Sequence, residues 1–350
     1  MTEIKKLYAI DLQLFANMNT NLTTSSATGN DLSDEMKTYY SDYLIDNAMP
    51  KLVHDQFGQK HPIPKNGGKT IEFRKYSPLG KALTALTEGV TPDGQSLNVS
   101  TIEATVAQYG GYITLSDMLM LTAIDNNLVQ ATKLLGNQAG MTLDTITREV
   151  LNGGTNVVFS GGVTARANLV GGSSTASENC TLTVDDIKRA VRALKTQNAD
   201  KIGDSYVAII HPDVTYDLTN DPTWQNVKDY DPKDWYEGEI GKIAGVRFVE
   251  TTEAKIWANA GTDKSTGAAQ TGKRAVYSTL VLADNAYGVT EIEGGGLQHF
   301  VKQLGSAGTS DPLNQRATCG WKATKVAERL VENFMVRIES VSSFNPTTAN

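Results

Sequence analysis

Apolar side chains recur at Leu121, Ile124, Leu128, Ala131, Leu135, Ala139, Leu143, Ile146 and Val150, a mean step of about 3.6 residues. That period predicts one long helix over Thr114–Asn152. Ser116 and Asp117 stand at its start, where a side-chain oxygen takes up orphan backbone N–H groups. Gly153-Gly154 is expected to end it, because glycine reaches the left-handed conformation that helix C-termini favour. Unbroken, the helix would run roughly 55 Å, longer than a compact domain of about 100 residues is wide. It therefore reads as a spine carrying elements at both ends.

Ahead of the spine, Asn17–Asn30 is rich in Asn, Thr and Ser and reads as an arm. From Leu32 to Val53 apolar residues repeat at helical spacing, with Asp31 or Ser33 as the cap, a kink at Pro50 and an end near Gly58. In Lys69–Leu83, Ile71 and Phe73 alternate with Glu72 and Arg74, as in a half-buried strand. Glu88–Leu97 holds a Pro-Asp-Gly turn signal around Asp93, and Asn98–Leu115 returns as a strand. Gly67–Ser116 is thus a long two-stranded excursion with too little core to stand alone. It needs a surface to lie on, and a neighbouring copy of the chain is the natural candidate.

Beyond the spine, Asn156–Asn179 reads as loop or short strand. Thr183-Val184-Asp185-Asp186 opens a helix with Ile187, Ala190, Val191 and Leu194 on one face. Ser205–Ile210 is a buried-strand run, His211-Pro212-Asp213 turns into a short helix, and Lys242–Glu250 gives another strand. Thr251–Lys273 shows no period and reads as irregular. Strands follow at Arg274–Leu282, Gly288–Glu293 and His299–Leu304, and a last one ends in Phe334–Glu339, placed to close a sheet near the spine. The alternation from Cys180 onward predicts an α/β lobe.

The chain has 350 residues, room for two or three lobes, and a formal net charge of −7. That balance argues against coating nucleic acid, which needs clustered Lys and Arg, but not against enclosing it. Cys180 and Cys319 have no CxxC spacing, so no zinc knuckle or disulfide framework is expected. No stretch of apolar residues is long enough to span a membrane. The opening MTEIKKLYAIDLQLFAN is broken by Asp11 and Gln13 and reads as a binding segment, not a signal peptide.

Gly68-Lys69-Thr70 lacks the glycine a P-loop needs at Ile63, and no GxSxG or HExxH motif occurs. His54, His61, His211 and His299 have no ligand spacing. The acidic run Asp221–Glu239 reads as a solvated loop rather than a calcium loop. Lys65, Lys69, Arg74, Lys75 and Lys81 in the excursion read as a solvated strand face, with acidic residues of another copy as their expected partner. No catalytic, metal or cofactor constellation emerges, and an α/β enzyme ranks well below a structural role.

Four stretches then carry a resemblance: DPLNQRATCGWK (Asp311–Lys322), GKTIEFRKY (Gly68–Tyr76), LTEGVTPDGQSL (Leu86–Leu97) and QYGGYITLSD (Gln108–Asp117). With the element order, they resemble major capsid proteins of tailed bacteriophages, the N4-like family within the HK97-type fold. LQLFA (Leu12–Ala16) looks like the opening of many head proteins. The resemblance implies an α+β chain with an N-terminal arm (1–31), a helix (32–60) and an extended E-loop hairpin (61–115). A P-domain spine (116–179), an axial A-domain (180–304) and a C-terminal segment returning to the P-domain (305–350) complete it. It also implies self-assembly into hexamers and pentamers of an icosahedral shell around double-stranded DNA. Portal, scaffolding or decoration partners are expected, with assembly in the host bacterial cytoplasm and no cofactor. An encapsulin-like cargo shell is the alternative. Arg74, Lys75, Asp93, Arg316 and Trp321 are the candidate assembly contacts.

Overall fold

A computed structural model describes residues 20–21, 53–76, 79–83, 85, 88–89, 91, 93–122, 127–228, 241–306 and 311–350. The binding segment through Ala16, most of the helix expected from Leu32, and the acidic residues 229–239 lie outside them. The first half of the chain gives β1 (Thr20–Asn21), β2 (Gln59–Lys60), β3 (Thr70–Tyr76), β4 (Val99–Thr105), β5 (Ala107–Ser116), α1 (Asp117–Thr122) and α2 (Asn127–Asn152). Next come β6 (Val157–Phe159), β7 (Val170–Gly171), α3 (Val184–Thr196), β8 (Tyr206–Ile210), α4 (Pro212–Thr219) and α5 (Pro222–Lys228). The remaining strands are β9 (Lys242–Ile243), β10 (Val246–Glu250), β11 (Ile256–Asp263), β12 (Gln270–Leu282), β13 (Tyr287–Thr290), β14 (Gln298–Lys302), β15 (Arg316–Arg329) and β16 (Met335–Ser340). Among the described residues no helix is long and apolar enough to cross a membrane.

The spine starts later than its period suggested. Thr114–Ser116 finish β5, and the helical backbone begins at Asp117. Ser116 Oγ accepts the Leu119 N–H at 3.2 Å and Asp117 Oδ1 accepts the Met118 N–H at 2.8 Å, so these two residues do cap a helix start. The end lies at Asn152 as expected, although Gly153 and Gly154 are not in the left-handed region. A Cβ there would come within 2.7 Å of the Arg329 guanidinium and 2.8 Å of the Glu332 carboxylate, so those side-chain ends would have to shift to admit one.

The described residues fall into two compact units. The larger holds Val53–Tyr109, Gly140–Gly296 and Thr324–Asn350, apart from the undescribed positions. Its main sheet has the order β6-β16-β12-β8-β10-β9, with β11 branching from β12 and β7 pairing with β11. β8 and β10 are parallel, joined by a crossover through α4 and α5. All five residues of β8 are buried, as their unbroken apolar run implies for a strand covered on both faces. The closing strand β16 lies inside this sheet, antiparallel to β12 and parallel to β6. It takes its place beside the end of the spine, where Arg337 donates to the Asn152 and Gly154 carbonyls.

α3 follows the reading closely. Thr183 and Asp186 form a reciprocal capping box, and Ile187, Ala190, Val191 and Leu194 are buried on the core face. His211 Nδ1 accepts the Asp213 N–H at 3.1 Å and Pro212 opens α4.

Two segments correct the sequence reading. Lys242–Glu250 is a tight hairpin of β9 and β10, not one strand, because Ala244 and Gly245 take positive φ of 52° and 80°. Thr251–Lys273 is largely ordered β structure. β11 pairs antiparallel with β12 through register shifts around Gly261, and those irregularities erase the alternation on which a strand reading depends.

The smaller unit holds Gly110–Ala139 and Leu297–Ala323 with β1. Here β5 pairs with β15 and in parallel with β1, and β14 pairs antiparallel with β15. Ala317, Cys319, Trp321 and Ala323 are buried at every second position of β15, the period-2 signature of a strand with one core face. Close approach requires glycine at Gly110, where a Cβ would lie 2.7 Å from the Trp321 carbonyl oxygen, while one at Gly111 would displace the Gln138 side chain, 2.8 Å away.

Candidate assembly surface

β3 and β4 pair antiparallel with Ile71 opposite Ala104 and Phe73 opposite Ile102, which puts the four apolar side chains on one face. That face is half-buried against the larger unit's own body. The Phe73 ring meets His61 edge-on with centroids 5.8 Å apart, and Gly288 leaves room for it, since a Cβ there would be 3.1 Å from Phe73. A cleft of about 530 Å³ opens beside this contact, floored by Phe73, Ile102 and Leu330.

The packing stops at the base of the hairpin. Beyond it Leu79, Leu83 and Leu97 are 54%, 85% and 68% exposed, and Tyr76 and Val99 are exposed too. Among the described residues the turn falls at Glu88–Gly89, with Gly89 at φ 78°, and not on Asp93-Gly94. So the excursion is neither free-standing nor tucked in. Its root is seated and its far end offers apolar side chains to water, a condition monomers seldom leave uncovered.

The root is anchored by a buried polar network at Val53–Phe57. His54 donates its backbone N–H to Asp144 Oδ1 at 2.9 Å, and its Nδ1 lies 2.7 Å from Asp144 Oδ2. Asp55 accepts from Thr147 Oγ1 at 2.5 Å and from Lys325 Nζ. Tyr287 donates its hydroxyl to the His54 carbonyl. Burial, and then the Asp55 charge, push the Tyr287 phenol well above its ordinary value, so it remains a donor.

Of the five candidate contacts, three sit on the hairpin. Arg74 is exposed and pairs with Glu72 at 3.5 Å on the outer face, opposite the Phe73 face. Lys75 and Asp93 are exposed. The other two lie on β15 in the smaller unit. Asp311 Oδ2 accepts the Arg316 N–H at 2.9 Å and sits 3.8 Å from its Nε, closing the turn that starts the strand. Trp321 is only 5% exposed and donates Nε1–H to Gln138 Oε1 at 3.1 Å. The acidic Arg partner and the buried ring thus give Asp311–Lys322 its local form.

Sequence reasoning missed a second apolar surface on the smaller unit. Every residue of β14 is exposed, including Phe300 and Val301, and Leu297, Leu313, Tyr112, Met118 and Leu121 are exposed with it. The signal was present in GLQHFVKQL, whose apolar residues do not alternate with polar ones as a one-faced strand requires.

An arm with exposed leucines and a second unit with an uncovered apolar strand describe a subunit built to be covered by other subunits. Solved structures similar to it are phage capsids. The capsid protein of cyanophage P-SCSP1u matches with a TM-score of 0.64 at 14% identity, over 95% of this chain and 100% of that one. That of Ralstonia phage GP4 gives 0.66 at 14%, over 92% and 100%. That of the mature capsid of bacteriophage PhiM1 gives 0.58 at 14%, over 86% and 91%. The fold is therefore the HK97-type α+β capsid fold. A family profile described as phage capsid protein matches residues 99–282. The chain belongs to that family and is a major capsid protein of a tailed phage, which leaves the cargo-compartment alternative without support. No curated protein sequence matches it significantly.

Proposed function

We propose that the chain assembles into rings of six, and of five at vertices, that close an icosahedral shell around double-stranded DNA held without sequence-specific contacts. In this reading residues 61–115 are the extended E-loop laid across the next subunit, residues 116–179 form the P-domain spine, and 180–304 form the axial A-domain. Residues 1–31 are the arm, the N-terminal helix expected over 32–60 gives way to turns and β2 from Val53 on, and 305–350 return to the P-domain. The protein carries out no catalytic step. Portal, scaffolding or decoration proteins complete the head, which is built in the host bacterial cytoplasm. The net charge of −7 supports the enclosing role, since it keeps free subunits off host nucleic acid.

One observation carries the reading: Leu79, Leu83 and Leu97 stand in water on an arm whose root alone is packed. Among the described residues nothing of the subunit covers them, so we assign their cover to a neighbouring copy, where burial of three leucines contributes roughly 5 kcal/mol per contact. Deleting Gly80–Ser96 tests it. The shortened subunit is expected to stay folded, with an unchanged urea midpoint, and to form no shells by electron microscopy. Unfolding of the monomer would place the hairpin in the subunit's own core and refute the assignment.

A further inference from the structure

β14 is an edge strand of the smaller unit's sheet. Its pairing with β15 uses one side, and among the described residues no strand pairs with the other. In an antiparallel ladder alternate residues turn their N–H and C=O groups away from the partner, so that second side presents backbone donors and acceptors. Phe300 stands opposite Gly320 on the outer face, and Val301 stands opposite the buried Cys319 on the core face. Both are exposed. A lid over either face would cover one of them and leave the other. A strand laid along the edge covers both and pairs the outward backbone as well.

A shell made of closed rings needs a contact that joins one ring to the next. Head-to-tail contacts are used up in closing each ring, whereas two rings that meet across a two-fold axis present the same surface to each other. An edge strand can satisfy itself in that way. Antiparallel pairing about a two-fold keeps opposed side chains on one face and finishes both edges, so nothing adds further. The register centred on Phe300 pairs all five residues of β14: Phe300 faces Phe300, Gln298 faces Lys302 and His299 faces Val301. Aromatic meets aromatic, and the two lysines are not opposed. A strand this short makes a weak contact by itself, and Lys302 discourages indiscriminate pairing of the free subunit.

We infer that β14 pairs antiparallel with β14 of a second copy, centred on Phe300, and so joins neighbouring rings across a two-fold axis. The inference rests on the shell-forming reading and names its ring-to-ring contact.

The test uses the full chain carrying Phe300→Cys, assembled with oxidised glutathione and run on a non-reducing gel. Opposed Cα atoms in such a pair lie about 4.5–5.5 Å apart, within the ~4.4–6.8 Å that a disulfide spans. Most of the chain in shells should therefore shift from the monomer to the dimer band. Gln298→Cys is the control, because two copies of that position stand about 14 Å apart in this register and should stay monomeric. The native Cys180 and Cys319 are buried, so the parent should stay monomeric too. Phe300→Asp should keep the parental urea midpoint, because the ring is exposed, and should still form rings. It should give roughly tenfold fewer closed shells, since two carboxylates then face each other. Shells of the Phe300→Cys chain that run as monomers overturn the inference, which is the result expected if the N-terminal arm or another segment lies along β14. An equal dimer yield from Gln298→Cys overturns it, and so does assembly of Phe300→Asp at parental yield. A parent that forms neither rings nor shells would instead refute the shell reading itself, taking this contact with it.

Discussion

Glu339 is a fully buried carboxylate, and its removal tests how the larger unit is held together. Arg166 donates to it through Nε and one terminal nitrogen, both at 2.7 Å, and Arg337 donates through Nε at 2.9 Å. Arg166 also lies 3.7 Å from the centre of the Trp257 ring. Without the carboxylate, Arg337 keeps its bonds to the Asn152 and Gly154 carbonyls but loses its paired counter-charge, leaving only the more weakly acting Glu332. Burial already pulls the Arg337 guanidinium below its ordinary value, and Glu339 opposes that pull. Breaking a buried pair costs about 3–5 kcal/mol. The two carbonyl contacts and the partial exposure of Arg166 put Glu339→Ala near the low end, ~3 kcal/mol. For a unit of this size that is a fall in Tm of about 10 °C. Urea and thermal melts followed by circular dichroism of the unassembled subunit measure it. Replacing the whole network by Glu339→Leu, Arg337→Met and Arg166→Met should cost less than the single change, because no unpaired charge remains. A single variant within about 0.5 kcal/mol of the parent, or a triple variant worse than the single, would refute the reasoning.

Other consequences are as direct. Trp321→Ala should destabilise the smaller unit by roughly 3 kcal/mol or more, through the loss of a buried ring; a change within noise would show that the ring is not held in a core. His211 is held below its ordinary 6.5 by burial, with Asp213 pulling the other way. Its neutral form is the one the fold favours, so its contribution is complete above 6.5 and is lost as pH falls from there through the lower folded value. Melts between about pH 8 and about pH 5 should show this loss, and His211→Asn, which keeps a capping acceptor, should remove it. An identical pH dependence in the variant would assign the loss to other groups.

What the chain showed in advance was what repeats along it. The period of α3, the unbroken apolar run of β8 and the closing β16 are local signals, and each lies where its pattern puts it. The spine began late because Thr114 and Leu115, read as its first residues, are instead buried in β5 beside β1. β11 stayed hidden because its pairing with β12 shifts register twice, so no alternation survives. The hairpin was legible as a pair of strands, yet how much of it is seated depends on Gly288, distant in sequence, making room for Phe73. Glu339 read as an ordinary strand residue; its partner Arg166 is 173 positions away, a distance no local pattern encodes. The family wording at Asp311–Lys322 has its physical basis in the Asp311 turn and the alternate burial along β15.

The central claim is that each subunit is finished only by its neighbours. Electron microscopy of the purified protein, at a resolution that traces strands, tests it most directly. The account predicts closed particles in which β3–β4 of every subunit lies over another and Leu83 and Leu97 are covered. A monodisperse monomer under all assembly conditions, or particles in which that hairpin touches only its own chain, would contradict it.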